Sequence, residues 1–353
     1  MQSPPERHSS DQTGLLAAYA IIAAEALIVA CLEVLRRRGI LVTASMLCAI
    51  LSCRSTQPPV VAVIPETTAQ ELWESEHAGA EKAAKALGWS VYWNAPSRED
   101  DLPRQIQIID KAIQRKVAGL ILSPDHDVAL ISPVRSALAH GIPTVIVGSP
   151  LGIAPGGDLS FVLNDDEIVG KLAAERLHAY LKPGDAVAIL GVNPNILSHM
   201  HRTAAIVDSL FQASPHLHIV ERRSTSFAFA EAEETAEETI RSTPHLRAIV
   251  ALDITQTRGA YFALMEEHAL GRVVLIGCDQ DLDLVRQVRA GTIDAIIAEN
   301  TFAMGYEAMQ QIASLRSGRP VKAQIVIAPI LITRHNVDVP AVQKVLDMNW
   351  GLQ

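Results

Sequence analysis

Residues 119–149 read GLILSPDHDVALISPVRSALAHGIPTVIVGS, and this stretch decides the fold. Gly119–Leu122 is a short, wholly apolar run closed by Ser123-Pro124. Ala129–His140 carries its apolar residues at helical spacing, and Gly141-Ile142-Pro143 stops it. Thr144–Val147 is again wholly apolar and ends on Gly148-Ser149. An all-apolar strand has no face meant for water, so both of its faces are covered. Strand, amphipathic helix and strand in succession therefore mean a parallel sheet with helices on both sides.

The same alternation extends outward. Upstream come a β-branched run at Val60–Ile64, a helical period over Leu72–Leu87, a short strand at Ser90–Tyr92 and a helix at Leu102–Lys116 with Ile106, Ile109 and Ile113 on one stripe. Downstream, the Gly- and Pro-rich Leu151–Asp158 breaks the pattern, which then restarts. Strands are predicted at Phe161–Leu163, Ala186–Leu190, His218–Glu221, Ala248–Leu252, Val273–Ile276, Ala295–Ala298 and Ile325–Ile330, with helices in the gaps. This is more than one open sheet usually holds. Two doubly wound, parallel-sheet α/β lobes are the economical arrangement.

Composition narrows the function. The chain has 353 residues, 49% of them apolar and 20% charged, and a net charge of −9, so it is globular and lacks the basic face that a nucleic-acid partner needs. Cys31, Cys48 and Cys53 lie at the front and only Cys278 in the body, so the body holds no internal disulfide. Residues 1–52 read as a leader. Arg36-Arg37-Arg38, the apolar Ile40–Leu51 and Ser52 before Cys53 form a secretory signal pattern. Ile50-Leu51-Ser52-Cys53 resembles the bacterial lipobox, which implies lipidation at Cys53; a plainly secreted protein and an uncleaved anchor are the alternatives. Leu15–Leu35 is long enough to span a bilayer but contains Glu25 and Glu33, so it is either a first membrane helix or a sign that translation starts nearer Arg36. Residues 53–59 serve as a tether.

In open α/β sheets ligands bind beyond the carboxyl ends of the strands. The residues there are Glu66 and Gln70, then Ser123, Asp125 and Asp127, then Gly148 and Ser149. In the second half they are Asn193 and Asn195, Phe227, Asp253, Asp279, and Glu299 with Asn300. Carboxylates and amides suit vicinal hydroxyls, and flat rings suit the apolar face of a sugar. An Asp after a strand also reads as a helix N-cap, so that alternative stands for each acid taken singly.

Several local sequences carry a resemblance. They are Val61–Pro65 with Leu72-Trp73 and Gly79–Ala84, then Gly119–Pro124 and Gly141–Val145, then Asn164-Asp165 with Gly170, and Val274–Asp279. Together they resemble the periplasmic sugar-binding proteins of ABC transporters, in the ribose-binding-protein-like branch of the type I periplasmic-binding fold. The resemblance implies two lobes joined by a three-crossover hinge near Asn164, Glu299 and Ala328. The first lobe is then 60–164 with 300–328, the second 165–299 with 329–339, and 340–353 a C-terminal tail helix. It implies a carbohydrate-like ligand, an ABC permease as membrane partner, a monomer, no cofactor and no catalysis. Carried over position by position, it assigns ligand binding to Glu66, Gln70, Trp73, Arg202, Phe227, Asp253, Asp279 and Glu299, with Trp73 and Phe227 as stacking rings.

One departure stands out. Where sugar binders often end the fourth strand in Asp-Arg, this chain has Gly148-Ser149, so ribose itself is a poor expectation. Four acids against Arg202 make the predicted pocket acidic and admit an amino-bearing ligand. Three rival readings remain. A sensory protein feeding a chemoreceptor or sensor kinase has the same sequence features. A LacI-type regulator core lacks its basic helix-turn-helix here. An enzyme lacks a visible nucleophile and base. His199-x-His201 and His216-x-His218 do not complete a metal set, since i and i+2 on a helix face apart.

Overall fold

The computed structural model describes residues 58–346 together with isolated positions of the leader (29, 33, 34 and 36). Leu15–Leu35, apart from those positions, the lipobox with Cys53, and the last seven residues of the predicted tail helix lie outside the described residues. Among the described residues no helix is long and apolar enough to cross a membrane.

The first lobe begins with β1 (Val60–Ile64), α1 (Glu71–Leu87), β2 (Ser90–Trp93), α2 (Leu102–Gln114), β3 (Gly119–Leu122), α3 (Ile131–Ala139), β4 (Thr144–Gly148) and β5 (Leu159–Asn164). The chain then builds the second lobe with α4 (Asp166–Leu177), β6 (Ala186–Val192), α5 (Leu197–Ala213), β7 (His218–Arg223), α6 (Phe229–Ser242), β8 (Leu246–Ala251), α7 (Ile254–Glu266), β9 (Val274–Cys278), α8 (Leu282–Ala290) and β10 (Ala295–Ala298). It returns to the first lobe for α9 (Thr301–Arg316) and β11 (Gln324–Ile327), and ends with β12 (Ile330–Thr333) and α10 (Pro340–Leu346).

The two six-stranded sheets run β11-β5-β4-β3-β1-β2 and β12-β10-β9-β8-β6-β7. Every pairing is parallel except β10 with β12, which is antiparallel. Each lobe therefore reverses its strand order once, at β1/β3 and at β6/β8, and these reversals are where open α/β sheets leave a crevice for ligand. β1, β3, β6, β9 and β10 are buried along their whole length, as their unbroken apolar sequence requires; only Val60 at the start of β1 is exposed. Separate apolar clusters cover the two faces of each sheet.

The alternation read from the sequence survives with helix ends shifted by a residue or two: α2 ends at Gln114 rather than Lys116, and α3 runs Ile131–Ala139 rather than Ala129–His140. One element differs in kind. The single strand expected over Ile325–Ile330 is two strands in different sheets, because Pro329 offers no N–H to either ladder and the chain changes lobe there.

Candidate functional site

The loops after β1 and β3 are tied together from below. Gln105 on α2 is fully buried; its amide nitrogen donates to the carbonyls of Pro65 (3.1 Å) and Ser123 (2.8 Å), and its oxygen accepts from Asp125 N (3.1 Å). This bridge fixes the backbone that carries Glu66. Four residues on, Gln70 is the N-cap of α1 but makes no side-chain cap bond. Trp73 in the first turn is 6% exposed, and its Nε1 has no hydrogen-bond partner among the described residues. A buried indole N–H without an acceptor is costly unless something arrives to take it.

The second lobe centres on Arg202 of α5, 3% exposed. Its guanidinium donates to Leu252 O (2.9 Å), to Glu299 Oε1 (2.6 Å) and to Asp166 Oδ1 (3.3 Å), and lies 3.6 Å from Asp279 Oδ1. Such a buried cation holds because carboxylates converge on it. Gln280 fastens the end of β10 by two hydrogen bonds with the Glu299 backbone, donating from Nε2 to its carbonyl (2.9 Å) and accepting its N–H on Oε1 (3.0 Å). Asp279 follows β9 with φ at 65°, a left-handed conformation uncommon outside glycine. That turn aims its carboxyl at the cleft, and Oδ1 has no hydrogen-bond partner. Asp253 is both things the sequence allowed: its Oδ1 caps α7 through Gln256 N (2.8 Å), and the residue still lines the cavity.

Burial governs the charge states. It pushes Asp253 up to about 6, with its cap bond and Arg202 opposing. Asp279 and Glu299 rise by burial as well, with Arg202 opposing and their mutual repulsion adding for Glu299. Glu66 is held well above the usual carboxylate range by burial and then by the neighbouring acids Asp125, Glu99, Asp279 and Glu299. His199, whose Nδ1 lies 2.8 Å from Gly191 O, is pushed down to about 3 by burial and by Arg202, so it is neutral. Its Nδ1 carries the proton to that carbonyl, which leaves Nε2 as an acceptor.

All eight residues singled out in the sequence line one cavity between the lobes. Glu66, Gln70 and Trp73 come from the first lobe. Arg202, Phe227, Asp253 and Asp279 come from the second, and Glu299 sits where the chain leaves it. The two phenylalanines of Phe227-Ala228-Phe229 separate: Phe227 lines the cavity, whereas Phe229 is 41% exposed and packs edge-on against Phe262. Gly148 and Ser149 are present too, and Ser149 Oγ accepts from Ser198 N of the opposite lobe at 3.1 Å. Asp127 N donates to Asn195 O across the same gap at 2.9 Å, so the lobes are closed. Asp125 and Asp127, placed by the sequence at the ligand edge of β3, are both buried, Asp127 at that junction. Glu99, His199 and Ser198 also line the cavity and were not singled out as binding residues. Glu99 lies well along the loop between β2 and α2 rather than directly past the strand, and His199 stood out only as a metal ligand.

A closed cavity between two doubly wound lobes, at the strand reversals of both, defines a class: a binding protein that shuts over a small solute. Residues 61–320 match the profile of the periplasmic binding protein domain, and the chain belongs to that family. Its members bind solutes outside the cytoplasm and do not transform them. The D-allose-binding periplasmic protein of Escherichia coli is 25% identical over 251 residues, spanning 69% of this chain and 80% of that protein. The D-apiose import binding protein of Paraburkholderia graminis is 26% identical over 282 residues, spanning 78% and 88%. In fold, the chain is similar to a carbohydrate transporter solute-binding protein from Agrobacterium radiobacter in complex with D-arabinose, with a TM-score of 0.76, 24% identity, and coverage of 83% of this chain and 100% of that one.

Proposed function

We propose that this protein captures a monosaccharide-like ligand in the inter-lobe cavity and is the extracytoplasmic sugar-binding component of an ABC importer. The carrying observation is convergence: polar groups from the carboxyl ends of strands in both sheets, with two aromatic rings, meet in one cavity between the lobes. The relatives' names point the same way, to D-allose and D-apiose. Trp73 and Phe227 cover the apolar faces of the ring, Trp73 Nε1 donates to one of its hydroxyl oxygens, and Asp279 Oδ1 accepts from another hydroxyl. Arg202 acts mainly by holding Glu299 and Asp279 in place. The lobes, 60–164 with 300–328 against 165–299 with 329–339, swing about the three crossings near Asn164, Glu299 and Ala328. The closed pair is the surface offered to the permease. Cys53 carries the lipid that keeps the protein at the membrane.

The test is thermal unfolding of the full chain against pentoses, hexoses, polyols and amino sugars. A true ligand raises the melting temperature in a saturable way. Arg202→Ala and Asp279→Ala each weaken that ligand at least tenfold; two unchanged affinities refute the assignment. Cys53→Ser moves the protein from the membrane fraction to the soluble one, and continued membrane association refutes the anchor.

A further inference from the structure

Glu66, Glu99, Asp253, Asp279 and Glu299 line the cavity, and Arg202 is the one Lys or Arg among the described lining residues. Arg202 is already engaged by Glu299, Asp166 and Asp279. His199 is neutral and adds no positive charge. The other nearby cations face the outer groove: Arg258 is paired with Asp281, and Arg98 lies 3.7 Å from Asp100 with most of its side chain in water. Neither Glu66 nor Glu99 makes an ion pair among the described residues. The same cavity holds Nε1 of the buried Trp73, a donor with no acceptor among the described residues.

Closing two lobes over unpaired carboxylates is expensive unless positive charge enters with the ligand or protons are taken up. A neutral sugar forces the second route. A ligand with an ammonium group and hydroxyls takes the first, and its hydroxyls still reach Trp73 Nε1. Indole and phenyl faces, both present here, also attract cations. We propose that the solute carries a protonated amine as well as hydroxyls, an amino sugar or amino polyol, and that Glu66 and Glu99 receive the ammonium. This rests on the sugar-binding reading and specifies its ligand.

Calorimetric titration of the full chain, freed of carried-over ligand, tests this at pH 7 with matched sets: glucosamine, glucose and N-acetylglucosamine, the corresponding galactose and mannose sets, and glucamine against sorbitol. In at least one set the amine binds tenfold or more tighter than both neutral members, and in Glu66→Gln/Glu99→Gln that ratio falls to within about threefold. A ratio measured within one variant is insensitive to a partial loss of fold, and the single variant Glu99→Gln is to show an intermediate ratio. Neutral members binding as tightly as the amine in every set overturns this proposal and leaves the sugar reading standing, as does an unchanged ratio in the double variant. No binding in any set overturns the amine proposal too, and the sugar reading is then decided by the wider unfolding screen with pentoses, hexoses and polyols.

Discussion

The two lobes face the same cavity with different electrostatics. The second is wired in advance: Arg202 gathers Glu299 and Asp166, Gln280 fastens Glu299, and Asp253 caps α7. The first offers the Trp73 ring, an uncapped Gln70 and two acids without a cation. Both sheets have the same strand order, so topology does not cause the contrast. It comes from where the chain spends its charges. A network that satisfies itself can stay rigid with or without ligand, whereas unpaired groups are stabilised only when something joins them.

The contrast breaks first at Arg202. Replacing it by Met leaves buried carboxylates without their cation and costs about 3–5 kcal/mol in urea unfolding. Glu66→Gln in the first lobe removes an unpaired charge and leaves stability equal or higher, by on the order of 1 kcal/mol. A loss from Glu66→Gln as large as that from Arg202→Met would erase the distinction.

Next comes pH. In the first lobe, burial pushes Glu76 up to about 8, against a bond from Ser123 Oγ (2.8 Å). In the second, burial pushes Asp253 up to about 6. A carboxyl raised by folding binds its proton more tightly in the native state than in the unfolded chain, so these groups lose the protein stability as pH rises. The loss begins near their unfolded values of about 4 and is complete near 8. Urea midpoints of the ligand-free protein should therefore fall from pH 5 to pH 8. Asp253→Asn should flatten the fall only below about pH 6, by on the order of 1 kcal/mol, and Glu76→Gln should flatten it over the whole range, by on the order of 4 kcal/mol. A midpoint that rises over this range would show that other groups outweigh both.

Helix packing gives a smaller, matched pair. A methyl group on Gly305 of α9 would strike the Glu76 carbonyl on α1, and one on Gly170 of α4 would strike the Ala205 backbone on α5. Each change to Ala forces two helices apart and costs about 1–3 kcal/mol. Equal costs, read as unfolding midpoints, would show the lobes to be packed alike and different only in charge. The smallest effect is at Ser149. Ser149→Ala removes one bond between the lobes, to Ser198 N, and weakens closure by about 1 kcal/mol, read as a roughly fivefold loss of ligand affinity with little change in unfolding.

Much of this was legible beforehand, for a definite reason. Strands buried on both faces leave an unmistakable apolar run, so Gly119–Leu122 and Thr144–Val147 announced parallel sheets, and polar residues just past such runs fall at the ligand edge by topology. Glu66, Asp253 and Asp279 were visible that way, while Trp73 and Arg202 needed the family resemblance. Glu99 carried no such mark, and Pro329 as the point where the last strand divides between sheets was read as strand interior. Alternation of apolar runs and amphipathic helices thus determined two doubly wound lobes and the rims on which a site could form. Only tertiary structure decided which charges meet. Pairing of Arg202 with Asp166 and Glu299, 36 and 97 residues away, and isolation of Glu66 and Glu99 depend on distances across a closed cleft. Local sequence does not encode those distances, because electrostatic partnership follows separation in space and burial rather than position along the chain.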